Sequence, residues 1–314
     1  MNLQQLRYVV EIVRHGNHLS AAAEALNTAQ PGVSRQIQLL ELDLGFEIFQ
    51  RTRNRIIGIT EPGQHVLAIA QRVTTDIAAL RSLKSDMNSG NRGTLTIGTT
   101  HTQARYVLPG VIEGFIKRYP HVRLVLKQGD PEEICSLVES GEADFAVGTE
   151  TIRAFPGLVQ LPCFELPRSI IAKKGHPILD VPDLTIDVVS QYPIITYDTR
   201  YSGRWKVMKV FKDHGIEPKV TLSAIDADVC KTYVEMDLGI AILTSVTFDP
   251  KRDTGLQARD ASHLFPSSMI KISLRPNVYL RPFLVDFISN IAPQITISVL
   301  RAALSAAPSR AGMY

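Results

Sequence analysis

The 314-residue sequence is poor in cysteine, nearly neutral and free of long hydrophobic runs. Its three cysteines, Cys135, Cys163 and Cys230, are far apart, and their spacing matches neither a disulfide framework nor a metal site. Such usage is typical of a reducing cytosol. No apolar run approaches the ~18–20 residues that span a bilayer, and the first residues lack the pattern of a signal peptide. We therefore expect a cytoplasmic protein without membrane partners.

The overall charge also limits the partners of the chain. A net charge of +3 is too small to give general affinity for nucleic acid, so any DNA contact must come from local basic clusters. Hydrophobic residues make up 45% of the sequence, which is enough for a folded core. At about 100–200 residues per domain, the length allows two or three compact units.

Residues 28–44 predict a short helix with one apolar face and one polar face. The apolar positions recur at helical spacing: Val33, Ile37, Leu40 and Leu44. Thr28 is predicted to cap the helix, and Pro31 is tolerated in its first turn. Ser34, Arg35 and Gln38 lie on the polar face and can bond base edges and phosphates. For a single helix, an ordinary solvated face is the alternative interpretation.

The surrounding residues complete a helix-turn-helix with a wing. Residues 3–14 predict a first helix, and Ser20 is predicted to cap a second helix at Ala21–Leu26. After the reading helix, two short strands are predicted around an arginine-bearing turn. Three arginines near that turn have no acid between them and form a phosphate-facing patch: Arg51, Arg53 and Arg55.

Several spaced strings in this region resemble one family. They are Leu-Arg-Tyr at 6–8, Ser-Ala-Ala-Ala-Glu-Ala-Leu at 20–26, Gln-Pro-Gly-Val-Ser at 30–34, Leu-Glu at 40–41, Leu-Gly at 44–45, Phe-Gln-Arg at 49–51 and Thr-Glu-Pro-Gly at 60–63. Together they resemble the winged helix-turn-helix of LysR-type transcriptional regulators. The resemblance implies double-stranded promoter DNA as a partner. We expect base contacts from Arg35 and Gln38, phosphate contacts from Thr28, Ser34 and Arg53, and further DNA contacts from Gln30, Pro31 and Arg51.

Residues 62–90 predict one long helix with a narrow apolar seam. Its members step by three or four residues, close to coiled-coil spacing: Val66, Ile69, Val73, Ile77, Leu80, Leu83 and Met87. The seam favours a dimer helix, although a stripe this narrow can also pack on its own domain. Residues 88–93 then predict a hinge.

From Thr94 onward, strands alternate with helices, which indicates parallel α/β units arranged in two lobes. The predicted strands cover 95–98, 122–128, 144–148, 168–173, 193–197, 218–223 and 239–243. The predicted helices cover 104–119, 132–139, 204–214 and 226–237. The tail after Pro308 is predicted to be frayed.

Three polar runs follow predicted strands, at 99–103, 149–151 and 201–204. Ligands gather at the carboxyl ends of strands in open α/β sheets. Hydroxyls, backbone N–H groups and helix starts at these ends predict an anion site that needs no lysine. A fully ionised oxyanion such as sulfate is favoured, because a protonated phosphate would lose roughly 1–3 kcal/mol on an unpartnered O–H. The alternative is that these residues are ordinary helix caps.

A second resemblance covers the chain from Met1 to about residue 265. Its most specific string is Thr-Thr-His-Thr-Gln-Ala-Arg at 99–105, and Asp-Ala-Asp-Val at 226–229 belongs to it as well. These strings resemble the cysteine-regulon branch of the family, which includes CysB and its sulfonate-utilisation relatives. The resemblance implies a two-lobed effector domain similar to a periplasmic binding protein, with a pocket between the lobes. The implied pocket residues are Thr100, Thr102, Gln103, Thr149 and Ser202, with Ser202 at a position usually held by threonine. Leu166 replaces an aromatic residue found in some members.

Two other classes of protein fit less well. An enzyme is disfavoured because the sequence has no phosphate-binding glycine loop, no nucleophile elbow and no histidine metal motif. His101 beside Thr102 is better interpreted as a group that shapes the pocket. A soluble anion-binding transport component would match only the second half of the chain.

The sequence therefore predicts an all-α winged helix-turn-helix at 1–61, a linker helix and hinge at 62–92, an α/β effector domain at 93–300 and a tail at 301–314. Lobe I of the effector domain is assigned to about 93–163 and 265–300, and lobe II to about 164–264. The predicted protein is an activator of sulfur assimilation genes, for cysteine biosynthesis or for sulfonate and sulfate-ester use. A non-sulfur effector is the alternative. We expect no cofactor, catalytic residue or metal. The candidate effectors are sulfate, thiosulfate, an acetylated serine and adenosine phosphosulfate. Homodimers, homotetramers and RNA polymerase are the remaining expected partners.

Overall fold

The computed structural model describes residues 1–53, 55–89, 92–276 and 278–306. The chain divides into an amino-terminal unit, Met1–Asn88, and a carboxyl-terminal unit that begins at Ser89. Within the described residues, none of the helices has both the length and the apolar character needed to cross a membrane.

The amino-terminal unit contains four helices and one hairpin. They are α1 (Leu3–Arg14), α2 (Leu19–Ala25), α3 (Gln30–Leu44), β1 (Phe49–Thr52), β2 (Arg55–Ile59) and α4 (Glu61–Ser89). The helices pack around a fully enclosed apolar core in which the predicted positions Val33, Ile37 and Leu40 are buried. The antiparallel pair β1–β2 is the predicted wing. Its turn includes Arg53, whose φ of 55° is left-handed.

Two predicted helix caps are wrong. Helix α2 begins at Leu19, so Ser20 lies inside its first turn and does not cap it. Helix α3 begins at Gln30 after Ala29 and has no side-chain cap, while Pro31 occupies its first turn as predicted. The backbone N–H of Thr28 donates to the carbonyl of Ala23, 2.9 Å away, so Thr28 closes the preceding helix.

The first part of α4 packs on its own unit. Thr60 begins the helix by accepting a hydrogen bond from the N–H of Gly63 at 3.0 Å. A side chain at Gly63 would be blocked, because its Cβ would lie 2.1 Å from the carbonyl oxygen of Ile48. Four apolar residues of α4 pack against the helices of this unit: Val66, Leu67, Ala70 and Val73. Two other predicted seam residues, Ile69 and Leu80, are exposed.

The carboxyl-terminal unit contains two five-stranded sheets. The first has the strand order β4-β3-β5-β12-β6, from β3 (Gly93–Thr99), β4 (Val122–Gln128), β5 (Phe145–Gly148), β6 (Val159–Leu166) and β12 (Ser268–Leu274). The second has the order β11-β7-β10-β8-β9, from β7 (Arg168–Lys173), β8 (Ile194–Tyr197), β9 (Val220–Ala224), β10 (Ile240–Thr244) and β11 (Leu256–Asp260). Each sheet is the centre of one lobe.

Helices cover both sheets. They are α5 (Leu108–Arg118), α6 (Pro131–Glu139), α7 (Ile186–Ser190), α8 (Ser202–Asp213), α9 (Ala227–Glu235), α10 (Pro282–Ile291) and α11 (Ile297–Ala306). A π-helical turn, Gln103–Val107, precedes α5, so the single α-helix predicted at 104–119 is wrong in its first part. Helix α11 continues past residue 300 to Ala306, where a tail was predicted.

The predicted parallel α/β units are present, and both sheets also contain antiparallel strands that the sequence analysis did not predict. Strands β3, β4 and β5 pair in parallel, but β12 pairs antiparallel with both β5 and β6. In the second sheet, β7 pairs antiparallel with β10 and β11. The chain passes between lobes just before β7 and just before β12, without a crossover helix, and parallel pairing requires such a crossover.

Parts of three predictions lie outside the described residues. Residues 90 and 91 belong to the predicted hinge, and 307–314 to the predicted tail. The side chains of Leu83 and Met87 belong to the predicted seam.

Candidate functional site

Helix α3 presents its polar face to solvent. Because the apolar residues of α3 fill the core, the opposite side of the helix faces outward. Gln30, Pro31, Arg35 and Gln38 are exposed, and Thr28 and Ser34 are half-buried. Within the described part of the chain, Arg35 has no ion-pair partner, so its guanidinium is available for an external ligand. This face is the candidate DNA-reading surface.

Arg51 has a different environment from the other predicted phosphate ligands. Glu41, buried in α3, accepts hydrogen bonds from the N–H groups of Ile48 and Phe49 at 2.8 and 3.2 Å. The other carboxylate oxygen of Glu41 accepts a bond from Nη2 of Arg51 at 2.8 Å. Glu41 therefore ties the wing to the reading helix, and Arg51 completes that tie. Arg53, at the turn of the wing, is exposed.

A pocket lies between the two lobes, at the carboxyl ends of their strands. It is lined by residues after β3, β5, β8 and β10, by the start of α8 and by the first residues of β7 and β12: Thr100, Thr102, Gln103, Thr149, Arg168, Tyr197, Tyr201, Gly203, Thr244 and Ser268. The cavity volume is about 30 Å³. The strand-end argument therefore predicted the location of the pocket.

Four of the five predicted effector residues line this pocket. Thr100 donates a short hydrogen bond to Oε1 of Gln103, and both side chains are buried. Thr102 and Thr149 also line it. Ser202 does not contribute to the lining, but its hydroxyl donates to Oγ1 of Thr149 at 3.0 Å across the lobes. Ser202 therefore contacts a pocket residue, Thr149, from the opposite lobe.

Leu166 has no direct role in the pocket. It is buried in the core of the first lobe, among apolar residues of β6, β12 and α10. The replacement of an aromatic residue there changes core packing and does not change the pocket lining.

The strongest cationic group in the pocket is Arg168, which the sequence analysis missed. Its side chain is completely inaccessible to solvent. Its Nε donates to the carbonyl of Pro266 at 3.0 Å, and its Nη2 donates to Ser268 at 2.8 Å. Its Nη1 has no hydrogen-bond partner among the described residues, and no carboxylate of that part of the chain lies within ion-pair distance.

Burial lowers the pKa of Arg168, against the opposing effects of Tyr197 and Glu150. An arginine remains protonated in proteins even so. A buried cation with an open donor is costly unless an anion or ordered water meets it. The only sequence signal was an arginine two residues before the apolar centre of a strand, Arg-Ser-Ile-Ile-Ala-Lys.

Three more polar atoms of the pocket are buried without a partner among the described residues. They are Nε2 of Gln103, the hydroxyl of Tyr197 and the hydroxyl of Thr244. Burial is the main factor that raises the pKa of Tyr197, so the phenol keeps its proton and can donate. Each unsatisfied polar group costs about 1–3 kcal/mol. All of these groups can donate hydrogen bonds, which is the chemistry of an anion site.

The lobes are also joined beside the pocket by ion pairs. Nζ of Lys206 in α8 lies 2.6 Å from Glu150, which follows Thr149. Asp228, in the first turn of α9, accepts from Nε of Arg105 at 3.0 Å and from the hydroxyl of Tyr106 at 2.7 Å. Burial raises the pKa of Asp228. The hydrogen bond from Tyr106 and the nearby cations lower this pKa by a larger amount, so it lies below the usual 3.8.

The three cysteines are buried and unpaired with one another. Burial raises the pKa of Cys135, raises that of Cys163 to about 11 and raises that of Cys230 to about 12. Thiols in this state are poor nucleophiles and poor metal ligands. The polar pocket, and not the thiols, is therefore the candidate sensor.

Comparison with known families assigns both units. Residues 3–64 match the bacterial regulatory helix-turn-helix protein, lysR family, and residues 88–295 match the LysR substrate binding domain. The chain belongs to the LysR family of transcriptional regulators. Members of this family bind promoter DNA and a small-molecule effector and form oligomers; they are not enzymes.

Two full-length relatives come from Burkholderia cenocepacia. The chain is 42% identical over 295 residues to the regulator SsuR, covering 94% of this chain and 96% of SsuR. It is 41% identical over 304 residues to the regulator CysB, covering 97% of each. Among solved structures, the cofactor-binding domain of the Cbl regulator has a TM-score of 0.65 and 33% identity, over 68% of this chain and 94% of that domain.

Proposed function

We propose that this LysR-type regulator activates sulfur assimilation genes in response to a small sulfur-containing oxyanion bound between its lobes. The observation that carries the proposal is the open Nη1 of the fully buried Arg168. The unpartnered donors of Gln103, Tyr197 and Thr244 surround the same pocket. An anion that accepts hydrogen bonds on every side satisfies all of these groups at once.

The size of the pocket supports the smaller of the candidate effectors. A cavity of about 30 Å³ has room for roughly two water molecules. That space suits an inorganic oxyanion such as sulfate or thiosulfate. An acetylated serine or adenosine phosphosulfate requires the lobes to open further. The similarity to regulators named CysB, SsuR and Cbl supports sulfur chemistry.

The DNA-binding mode follows from the exposed face of α3. This exposure supports a mode in which Arg35 and Gln38 contact base edges in a major groove and Ser34 and Arg53 contact phosphates. Two copies of this unit read two half-sites about one helical turn or more apart. The exposed Ile69 and Leu80 of α4 favour self-association through that helix, as a dimer or as a tetramer. RNA polymerase is the further partner expected of an activator.

Effector binding acts on transcription by shifting the population of two lobe arrangements. An anion that bonds to residues of both lobes favours the closed arrangement. The coupling to DNA is limited by the difference in anion affinity between arrangements, typically about 1–3 kcal/mol.

The experiment is a calorimetric titration of the full-length protein with sodium sulfate, sodium thiosulfate, O-acetylserine and adenosine phosphosulfate. We expect the two inorganic anions to bind more tightly than the two larger compounds. If none of the three sulfur compounds binds, and O-acetylserine or another metabolite that contains no sulfur binds tightly, the non-sulfur alternative would replace the proposed sulfur oxyanion. Wild-type protein that fails to discriminate duplex sequences in a gel shift would contradict the DNA-reading role.

A further inference from the structure

Two of the sequence segments that carry the family resemblance, one in each lobe, meet at a single carboxylate. Only some of their residues line the pocket. The string at 99–105 lies in the first lobe, and the string at 226–229 begins α9 in the second lobe. They meet at Asp228, whose Oδ2 lies 3.0 Å from Nε of Arg105 and 3.7 Å from Nε2 of His101. Its Oδ1 accepts from the hydroxyl of Tyr106 at 2.7 Å. We call Asp228, Arg105 and Tyr106 the Asp228 clasp.

The clasp is anchored within the second lobe as well. Nζ of the buried Lys231 lies 3.5 Å from Asp228 and 2.9 Å from Asp253, and it donates to the carbonyl of Thr247 at 2.8 Å. Lys231 also lies 5.2 Å from the ring centre of Tyr106. Asp228 is therefore held in place from its own lobe and is not a loose surface carboxylate.

The other half of the clasp belongs to the π-helical turn Gln103–Val107. Helical turns of this type are rare and are frequently found at functional sites. Gln103 begins the turn, is fully buried and directs an unpartnered Nε2 to the pocket. Arg105 and Tyr106 follow within the same turn. The turn thus has a ligand-facing side chain at its start and lobe-bridging side chains immediately after it.

We propose that Asp228 is a positioning residue for the effector pocket: by holding Arg105 and Tyr106 from the second lobe, it fixes the turn that presents Gln103 to a bound anion. This inference rests on the proposed anion pocket. Asp228 does not contact the anion. It acts by keeping the π-helical turn in the conformation that presents Gln103.

A metal ion is a weaker explanation of the same cluster. One ligand atom each from His101, Asp226 and Asp228 lies within 4.8 Å of the others. However, Arg105 and Lys231 already place positive charge on Asp228. Asp226 caps α9 by accepting from the N–H of Val229 at 2.8 Å. These contacts are the ones that form the clasp, whereas the positive charges of Arg105 and Lys231 would repel a bound cation.

The test measures thiosulfate and sulfate affinity of the full-length protein by calorimetry, for wild type and for Asp228→Asn. We expect Asp228→Asn to weaken binding roughly 5- to 20-fold, because charge-assisted bonds that order the turn are lost. Asp228→Glu should recover most of that affinity. Asp226→Asn is the matched control, since asparagine also caps helices, and it should keep wild-type affinity.

A double-mutant cycle separates positioning from general stabilisation. In a Gln103→Ala background, Asp228→Asn should cause little further loss of anion affinity, because the side chain that it positions is absent. An additive loss in that background would overturn the positioning role. If Asp228→Asn does not fold, Tyr106→Phe removes one clasp bond alone, and we expect a loss of about 3- to 10-fold. Unchanged affinity in Tyr106→Phe would then contradict the clasp.

The two proposals fail in different ways. Wild-type protein that binds neither anion would overturn the proposed effector class and the clasp with it. Wild-type binding that Asp228→Asn leaves unchanged would overturn the clasp alone. Two observations together would favour a metal site instead. A divalent cation would restore the anion affinity that Asp228→Asn loses, and a chelator would lower the anion affinity of the wild type.

Discussion

The two units of the molecule differ in how they present an arginine to a ligand. Arg35 lies on the exposed face of α3, where water satisfies its guanidinium before any ligand binds. Arg168 lies in the interlobe pocket, completely buried, with one donor unpartnered among the described residues. Both are available for a negatively charged ligand. Only the second is shielded from bulk solvent by the fold.

This difference separates two ways of building a ligand site. A DNA-reading face can be presented without a folding penalty, and its affinity depends on displacing water and counterions. A set of buried donors lowers the stability of the protein without ligand, and a ligand that accepts their hydrogen bonds raises the stability when it binds. We therefore expect mutations in the pocket to change ligand affinity and stability together, and mutations on α3 to change DNA binding alone.

The largest effect is expected for Arg168→Met. Loss of the buried guanidinium should weaken anion binding by at least about 30-fold, in line with roughly 2–5 kcal/mol for one partner of a buried charge pair. The free energy of unfolding without ligand should rise or stay constant, because a desolvated charge is removed. Calorimetry and thermal unfolding measure the two quantities.

The matched control for this change is Arg252→Met. Arg252 also lies in the second lobe, but its side chain is 66% exposed and it pairs with Asp249 of the same lobe at 3.5 Å. It should keep anion affinity within about twofold, as expected for an exposed ion pair. Equal losses in the two variants would show that general positive charge, and not the buried donor, binds the anion.

A smaller effect, confined to the other unit, is expected for Arg35→Ala. One bidentate base contact is worth about 1–3 kcal/mol, so specific DNA affinity should fall roughly 5- to 150-fold. Anion affinity and thermal stability should not change. Arg14→Ala, an exposed arginine of α1, is the control and should keep specific DNA binding. A parallel loss of anion affinity in Arg35→Ala would count against independent sites.

Thr102→Ala should weaken sulfate or thiosulfate binding about 3- to 10-fold, because one neutral hydrogen bond contributes roughly 0.5–1.5 kcal/mol. DNA binding without ligand should persist. Thr151→Ala is the control, since that hydroxyl donates to the carbonyl of Arg153 and does not line the pocket. If calorimetry shows the same anion affinity for Thr102→Ala and the wild type, Thr102 does not bind the anion.

The smallest effect distinguishes two arginines of the wing. Arg53→Ala should lower the slope of log affinity against log salt concentration by about 1, as expected for one lost phosphate contact. Arg51→Ala should leave that slope unchanged and lower the free energy of unfolding by about 1–3 kcal/mol, because it leaves Glu41 less satisfied. Equal slopes for the two variants would mean that Arg51 also reaches phosphate.

Local periodicity predicted much of this fold. The apolar spacing of α1 and α3, the wing and the strand ends of the pocket follow from short stretches of sequence. What the sequence did not reveal depends on distant partners. Arg51 belongs to a tie with a carboxylate on another element, and Arg168 becomes a pocket cation only when β7, β8 and β12 enclose it. The strands β6, β11 and β12 were missed because they follow no repeating strand–helix unit.

The central claim is that an anion held by the buried arginine changes how the amino-terminal unit binds DNA. The most direct measurement is promoter affinity by fluorescence anisotropy, with and without sodium thiosulfate at constant ionic strength, for wild type and Arg168→Met. We expect thiosulfate to change wild-type affinity about 5- to 150-fold and to leave Arg168→Met unchanged. An equal change in both proteins, or no change in wild type, would contradict the claim.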